Sequence, residues 1–144
     1  MSDNKTTTRL IDRAYTALDR LNDVHHERYL DRIYDLAAAG ERQHRRGHSE
    51  GRYQCSVATA AKMHVVRWLV VYATYQSELP TVAEMLTMRD DTVLAAMVVA
   101  NYRDDILKAL EGIDLERLCA LDYVALVEGR ADGMESKAVA VEQP

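Results

Sequence analysis

Proline, glycine and phenylalanine are scarce in this chain of 144 residues, which holds two prolines, six glycines and no phenylalanine. So few chain-breaking residues argue against many short strands joined by tight turns, and they favour a few long helices. The large aromatic side chains are eight tyrosines and one tryptophan. Both types carry a polar group and suit the edge of a core or a contact surface.

Segments that would direct the chain to a membrane or out of the cell are also missing. No apolar run approaches the length needed to span a bilayer. The polar residues 1–8 lack the apolar stretch of a secretory signal. Cys55 and Cys119 stand far apart in apolar surroundings, and we expect both to be reduced and inert. The sequence therefore predicts a cytoplasmic protein that makes no membrane contact.

Charge is unevenly distributed along the chain, which has a formal net charge of −5. Residues 1–89 carry a net charge of +2, and residues 90–144 carry −7. We therefore expect no general electrostatic attraction of the whole protein to nucleic acid. The sequence leaves open a binding role for a local basic segment in residues 1–89 and for an acidic face in residues 90–144.

Apolar residues recur at three- and four-residue steps along much of the chain, which is typical of amphipathic helices. Residues 9–39 form either one long helix or two helices with a joint near 22–25. Gly40 predicts the end of this helical stretch. Further helices are predicted over 81–88, 92–111 and 115–128.

Residues 54–78 are apolar on nearly every side, which indicates a helix buried inside a bundle or a subunit interface. We therefore predict an all-α, single-domain bundle of five or six helices with the helix at about 54–78 in its centre. The helical domain is expected over 8–129, between a disordered leader at 1–7 and a disordered tail at 130–144. Because a bundle of this size can hardly bury two strongly apolar helices, a homodimer could cover part of that surface.

Residues 40–52 contain no apolar side chain and form the clearest predicted loop. This segment is dense in arginine, whose planar group suits carboxylates and phosphates. Arginine and tyrosine are also enriched among the residues that dominate protein interfaces. The predicted partner-binding residues are Arg42, Arg45, Arg46, Arg52 and Tyr53.

Recognisable catalytic patterns such as a glycine-rich phosphate loop or a Cys-x-x-Cys pair are missing. Adjacent acidic pairs occur at 90–91 and 104–105. Neighbouring helix positions diverge by about 100°, so the members of a pair do not face one site. We predict a protein without catalytic residues, cofactor or metal, acting through contacts with another protein as an adaptor or an inhibitor.

Two other classes of function stay open. A transcriptional regulator that binds nucleic acid would use the basic loop 42–52 or a degenerate helix-turn-helix at 81–101. The second helix of that motif begins with Asp90 and Asp91, which would face phosphates, so it fits DNA poorly. A metal-binding bundle would draw its ligands from two histidine clusters. These clusters are His25 with His26, and His44 with His48.

Overall fold

The structure, a computed structural model, describes residues 2–25, 27–75 and 78–129, and this part of the chain is helical. In chain order its α-helices are α1 (Ser2–Asp19), α2 (Leu21–Val24), α3 (Tyr29–Arg45), α4 (Val57–Tyr75), α5 (Val82–Met85), α6 (Asp90–Ala109), α7 (Leu115–Ala120) and α8 (Tyr123–Glu128). One 3₁₀ turn, Glu50–Arg52, stands between α3 and α4. The predicted all-α fold is confirmed. Within the described ranges, no helix combines the length and apolar character needed to cross a bilayer.

Helix α4 lies at the centre of the bundle and packs against α1, α3, α6, α7 and α8. Its fully buried side chains include Val65, Val66, Leu69 and Val70. Burying a side chain of this kind stabilises the fold by about 1.5–3 kcal/mol relative to leaving it in water. A helix that is apolar on nearly all sides has to be covered from several directions. The predicted central helix is therefore confirmed, with bounds of 57–75.

Residues 9–39 are divided between two long helices, so the second of the two sequence alternatives is correct. Asn22, which is buried, lies at the joint. Its amide donates to Asp19 and to Asp31 at 3.0 Å each, and its carbonyl accepts from the backbone of Leu30. Arg28 has a φ of 49°, the left-handed conformation that lets the chain turn into α3. One buried amide thus connects the end of α1 to the start of α3.

The start of the chain differs from the prediction. Helix α1 begins at Ser2, ahead of the predicted start at Arg9, so residues 2–7 of the expected leader are helical. Thr7 is buried, which places this first part of α1 against the bundle. The predicted tail at 130–144 lies outside the described residues, and the division into domains stays a prediction.

The loop predicted from residue 40 onwards begins too early, because α3 continues through Gly40 to Arg45. Glu41 and Arg45 are four residues apart, so they share one face of the helix and form a buried ion pair at 2.9 Å. The stretch is polar because two of its charges face inward and satisfy each other. Helix α3 ends at Arg45; Arg46 is its C-cap, and Gly47 follows with a φ of 84°.

The single helix predicted over 115–128 is two short helices. Asp114 caps α7, accepting from the backbone N–H of Arg117 at 3.0 Å. Asp122 caps α8 in the same way, accepting from that of Ala125 at 3.1 Å. The second cap interrupts the helix and turns α8 toward the end of α3, where the candidate site lies.

Candidate functional site

The five predicted partner-binding residues lie at or just after the end of α3, but they do not share one exposed surface. Arg45 and Tyr53 are buried, at 8% and 9% exposure. Arg42, Arg46 and Arg52 are exposed. Arg45 and Tyr53 are therefore inside the protein and cannot touch a partner without rearrangement. A binding role for the three exposed arginines stays a prediction.

Arg45 joins the end of α3 to the segment that enters α4. Its guanidinium donates to Glu41 and to the backbone carbonyl of Cys55, each at 2.9 Å. It also lies 4.1 Å from the centre of the Tyr53 ring, within range of a cation–π interaction. These contacts assign Arg45 and Tyr53 to the stability of this end of the bundle.

Glu41 is the centre of the buried polar cluster, since it also accepts a hydrogen bond from His64 Nε2 at 3.0 Å. Burial alone would raise the pKa of Glu41, but the hydrogen bonds from Arg45 and His64 lower it. Burial lowers the pKa of His64; the bond to Glu41 opposes this shift and the charge of Arg89 adds to it. Near neutral pH, Glu41 is therefore ionised and His64 is neutral.

Arg89 reaches the same region from the connection between α5 and α6. Its guanidinium makes a two-pronged ion pair with Asp91, at 3.1 and 2.9 Å, and Asp91 is only 2% exposed. Gly40 leaves room for this arrangement, because a Cβ there would lie 3.3 Å from Arg89 Nη2. A glycine inside a helix costs about 1 kcal/mol relative to alanine, and the approach of Arg89 explains its presence in α3.

Arg67, on α4, is the cation of this region that has no acidic partner. Its guanidinium lies 4.5 Å from the Trp68 ring centre and 5.5 Å from that of Tyr123. Within the described part of the chain, no carboxylate lies within ion-pair distance of it. The aromatic rings thus hold Arg67 in place while its charge stays uncompensated.

A cavity of about 210 Å³ opens among these side chains. We call it the polar cavity, and its charged and titratable lining residues are Glu41, His44, His64, Arg67, Arg89 and Glu128. Tyr123, Val124 and Val127 complete its wall. It is smaller than the 300–1,000 Å³ or so of typical drug-sized pockets, so its size suits an ion or a small functional group.

The second acid of the polar cavity, Glu128, is also neutralised. It lies 3.0 Å from His44 Nε2 and 3.5 Å from Arg52 Nη2. Arg52 in turn lies 2.9 Å from His48 Nδ1. Arg52 is therefore exposed and also bonded to other side chains of the same chain.

The pattern Glu41-x-x-His44 escaped the sequence predictions, although this spacing supplies metal ligands in some helical bundles. Both residues do line the polar cavity. However, Glu41 already accepts from Arg45 and His64, and His44 is paired with Glu128. Nearby guanidinium groups also disfavour a metal cation.

A second pattern that escaped prediction is Gly47-x-Ser49-x-Gly51, which has the spacing of a nucleophile elbow. That elbow requires a turn from a strand into a helix, whereas this segment connects α3 to the 3₁₀ turn. Ser49 Oγ accepts a hydrogen bond from the backbone N–H of Gly51 at 3.3 Å. The local structure gives Ser49 a capping role.

The histidines of the predicted metal site contact different parts of the bundle. His25 lies 2.9 Å from Asp105 on α6, and its ring centre is 4.4 Å from that of Tyr102, at a kink in α6. The rings of His44 and His48 are 6.0 Å apart, at the end of α3. His26 falls outside the described residues. Among those described, no three His, Cys, Asp or Glu side chains are arranged to hold a metal ion.

The predicted helix-turn-helix at 81–101 corresponds to α5 and the first part of α6. Helix α5 has only four residues. The first two turns of α6 bury Asp91, Thr92, Ala95 and Ala96, and this helix packs on α3 and α4. The start of α6 is thus a part of the core, not a helix presented to a DNA groove.

Both cysteines are free and half-buried, in keeping with the expected reduced thiols. Burial raises the pKa of Cys55 and of Cys119. Since the thiolate is the reactive form, a raised pKa lowers the reactivity of both residues at neutral pH.

Exposed apolar side chains concentrate in the segment around α5. We call this the α5 surface, and it comprises Tyr75, Leu79, Val82 and Leu86. Helix α5 buries none of its residues and packs only weakly on the rest of the bundle. A capping box between Thr81 and Glu84 nevertheless fixes its turn. The apolar side chains are therefore displayed on ordered backbone.

A groove lies between α3 and the start of α6. It has a volume of about 420 Å³, and its apolar lining residues are Leu36, Ala39 and Met88. Three exposed acidic side chains, those of Glu78, Glu84 and Asp90, flank the α5 surface along the chain. We call these three carboxylates the acidic rim; the groove itself is mixed, since Gln43 and Arg89 also line it.

Two features of the described residues stand out by their geometry, the polar cavity and the α5 surface. The cavity is small and charged, whereas the α5 surface is open and apolar. In comparisons with known proteins, no protein family, no curated protein and no solved structure matches this chain.

Proposed function

We propose that this protein is non-enzymatic and acts by binding another protein through the α5 surface, as an adaptor or an inhibitor. The observation that carries the proposal is the exposure of Val82, in α5, and of Leu86, which caps its C-terminus, at 74% and 81%. Burying such a side chain contributes about 1.5–3 kcal/mol, and a partner would supply that burial. Clustered exposed apolar side chains commonly mark sites of protein interaction.

The surface also limits the chemistry of the partner. Val82 and Leu86 are four residues apart on helical backbone, so they lie on one face and suit an apolar groove. The acidic rim favours a groove bordered by lysine or arginine. A second copy of this chain would bring its own Glu84 to the same region, and like charges disfavour that pairing. The proposed partner is therefore a different protein with a basic-rimmed apolar groove.

Photo-crosslinking tests this proposal. A photoreactive phenylalanine analogue replaces Leu86 in one preparation and Lys108, an exposed residue of α6, in a control preparation. We expect Leu86 to give a partner crosslink that Lys108 does not give. Excess unlabelled protein should abolish that crosslink, whereas the Val82→Ser/Leu86→Ser variant should compete at least tenfold less well.

A matched control for this variant is Asp104→Ser/Lys108→Ser, which changes two exposed residues one helical turn apart on α6. It should compete as well as the unmodified chain. Equal crosslinking from Leu86 and Lys108, or equal competition by both double variants, would refute the proposal. Crosslinking only to a second copy of the chain would contradict the partner chemistry and support the homodimer instead.

A second candidate function is contact with nucleic acid at the end of α3. Arg42 and Arg46 favour it, since both are exposed and neither has a side-chain partner among the described residues. Duplex DNA binding should then weaken steeply with salt. In Arg42→Gln/Arg46→Gln, the slope of log affinity against log salt concentration should fall by about 2, close to 0.9 for each lost phosphate contact. No binding at low salt would remove this candidate.

A further inference from the structure

We propose that the polar cavity binds a small oxyanion, a carboxylate or phosphate group, with the guanidinium of Arg67 as its principal contact. This site is separate from the α5 surface and would add a ligand to the function proposed above. The proposal depends on the ion pairs around the cavity and on the placement of Arg67.

The ion pairs around the polar cavity leave one cation unpaired, although the lining itself carries two arginines and two glutamates. Each buried or half-buried acid in this region has its own arginine: Glu41 has Arg45, Asp91 has Arg89, and Glu128 has Arg52. Among the arginines beside the polar cavity, Arg67 has no carboxylate within ion-pair distance in the part of the chain that the structure describes. A bound oxyanion would complete the pairing, whereas a metal cation would leave Arg67 unpaired.

The placement of Arg67 suits a bound ligand. It is half-buried on the central helix, and its guanidinium lies near the rings of Trp68 and Tyr123. A guanidinium beside aromatic rings keeps its N–H donors, and their planar arrangement can bind two oxygens at once. Because few rotamers have to be restricted on binding, less conformational entropy is lost than for an exposed arginine.

His64 is a second polar side chain beside the cavity. It lines the cavity and is 9% exposed, and its buried Nδ1 has no hydrogen-bond partner among the described residues. When Nε2 donates to Glu41, Nδ1 is an acceptor, and a buried acceptor without a partner is costly. Because Nδ1 has almost no accessible surface, an oxyanion bound to Arg67 contacts this atom only after the His64 ring moves.

Titration of the full chain with four probes, phosphate, sulfate, acetate and citrate, tests the proposal. Binding is measured by calorimetry and by the shift in melting temperature, with sodium chloride used to hold ionic strength constant. We expect saturable binding of at least one probe. A preference for phosphate and sulfate would identify a phosphate-type ligand, and a preference for acetate and citrate would identify a carboxylate.

Two sets of variants locate the site. Arg67→Gln should weaken binding by about tenfold or more, since hydrogen bonds between charged groups are among the strongest in proteins. The control Arg32→Gln removes an exposed arginine of α3 outside the cavity and should leave the affinity unchanged. Val124, exposed at the cavity wall, keeps the test valid if Arg67→Gln fails to fold. Val124→Lys should strengthen binding and Val124→Glu should weaken it.

Each result of these titrations either supports or overturns the proposed anion site. Saturable binding that Arg67→Gln or Val124→Glu weakens, and Arg32→Gln does not, supports the site. Absence of saturable binding by all four probes overturns it, as does an equal loss in the Arg67 and Arg32 variants. Binding of zinc or magnesium in place of the anions would also overturn it. Val82→Ser/Leu86→Ser should leave anion binding unchanged, so the two proposals can fail independently.

Discussion

Replacing Glu41 by glutamine should destabilise the protein strongly, although the two side chains have nearly the same shape. Glu41→Gln removes the negative charge that neutralises Arg45, which is only 8% exposed. It also presents an amide N–H₂ group to one of the donors on Arg45 or His64. Breaking a buried ion pair by removing one partner costs about 3–5 kcal/mol. A natural domain has a total stability of about 5–15 kcal/mol.

Urea unfolding followed by far-ultraviolet circular dichroism measures this effect. We expect the unfolding midpoint of Glu41→Gln to drop sharply with little change in slope, because a loss of stability shifts the midpoint alone. The control is Glu111→Gln, which neutralises an exposed acid and should change the stability by less than about 0.5 kcal/mol.

The double variant Glu41→Leu/Arg45→Met separates the loss of the pair from the exposure of one unpaired charge. Replacing both members of a buried ion pair with apolar residues is often neutral or stabilising. Here His64 would lose its acceptor as well, so the double variant should recover most, not all, of the stability lost in Glu41→Gln. A loss below about 1 kcal/mol in Glu41→Gln would refute the reasoning, because it would mean that the pair is well hydrated.

Two further predictions concern pH and the backbone. Folding lowers the pKa of both His64 and Glu41 from their ordinary values of 6.5 and 4.5, so the unfolded chain binds more protons in acid and stability falls as the pH drops. The His64 part of this loss begins below pH 6.5 and should be smaller in His64→Gln, as measured by urea unfolding at a series of pH values; identical profiles for both proteins would contradict it. Gly129→Ala should cost more stability than Gly112→Ala: both glycines have positive φ, but only the Cβ at 129 would meet the Gln54 side chain, at 2.6 Å. Equal losses in thermal unfolding would show that Gln54 moves aside freely.

The central helix could be predicted because its signal is simple. Residues 54–78 are apolar on all sides, and such a helix has only one place in a soluble bundle, the middle. The sequence did not decide whether residues 9–39 form one helix or two, since Asn22 can be either a surface residue or a buried bridge. Only the positions of its partners Asp31 and Leu30 decide that.

The end of α3 could not be predicted by composition, because a polar stretch usually indicates solvent. The signals that would have helped are the spacing of Glu41 and Arg45, which share a helix face, and the presence of His64 within the most apolar helix. A polar side chain in such a helix needs a buried partner elsewhere in the chain. Sequence gives no direct indication of which polar residue that partner is.

The α5 surface was missed because apolar residues usually indicate a core, whereas here they are exposed. Val82 and Leu86 have the spacing of a core face, and a sequence pattern does not distinguish a face that the bundle covers from one that it leaves open. Likewise, Asp122 caps a new helix within a stretch whose apolar pattern predicts one continuous helix. Both features depend on where the rest of the bundle ends.

The most direct test of the central claim, partner binding through the α5 surface, is the yield of photo-crosslinked partner from position 86 relative to position 108. We expect a crosslinked species at position 86 that excess unmodified protein removes and Val82→Ser/Leu86→Ser does not. Equal yields at the two positions, or equal competition by both proteins, would contradict the claim that this surface binds a partner.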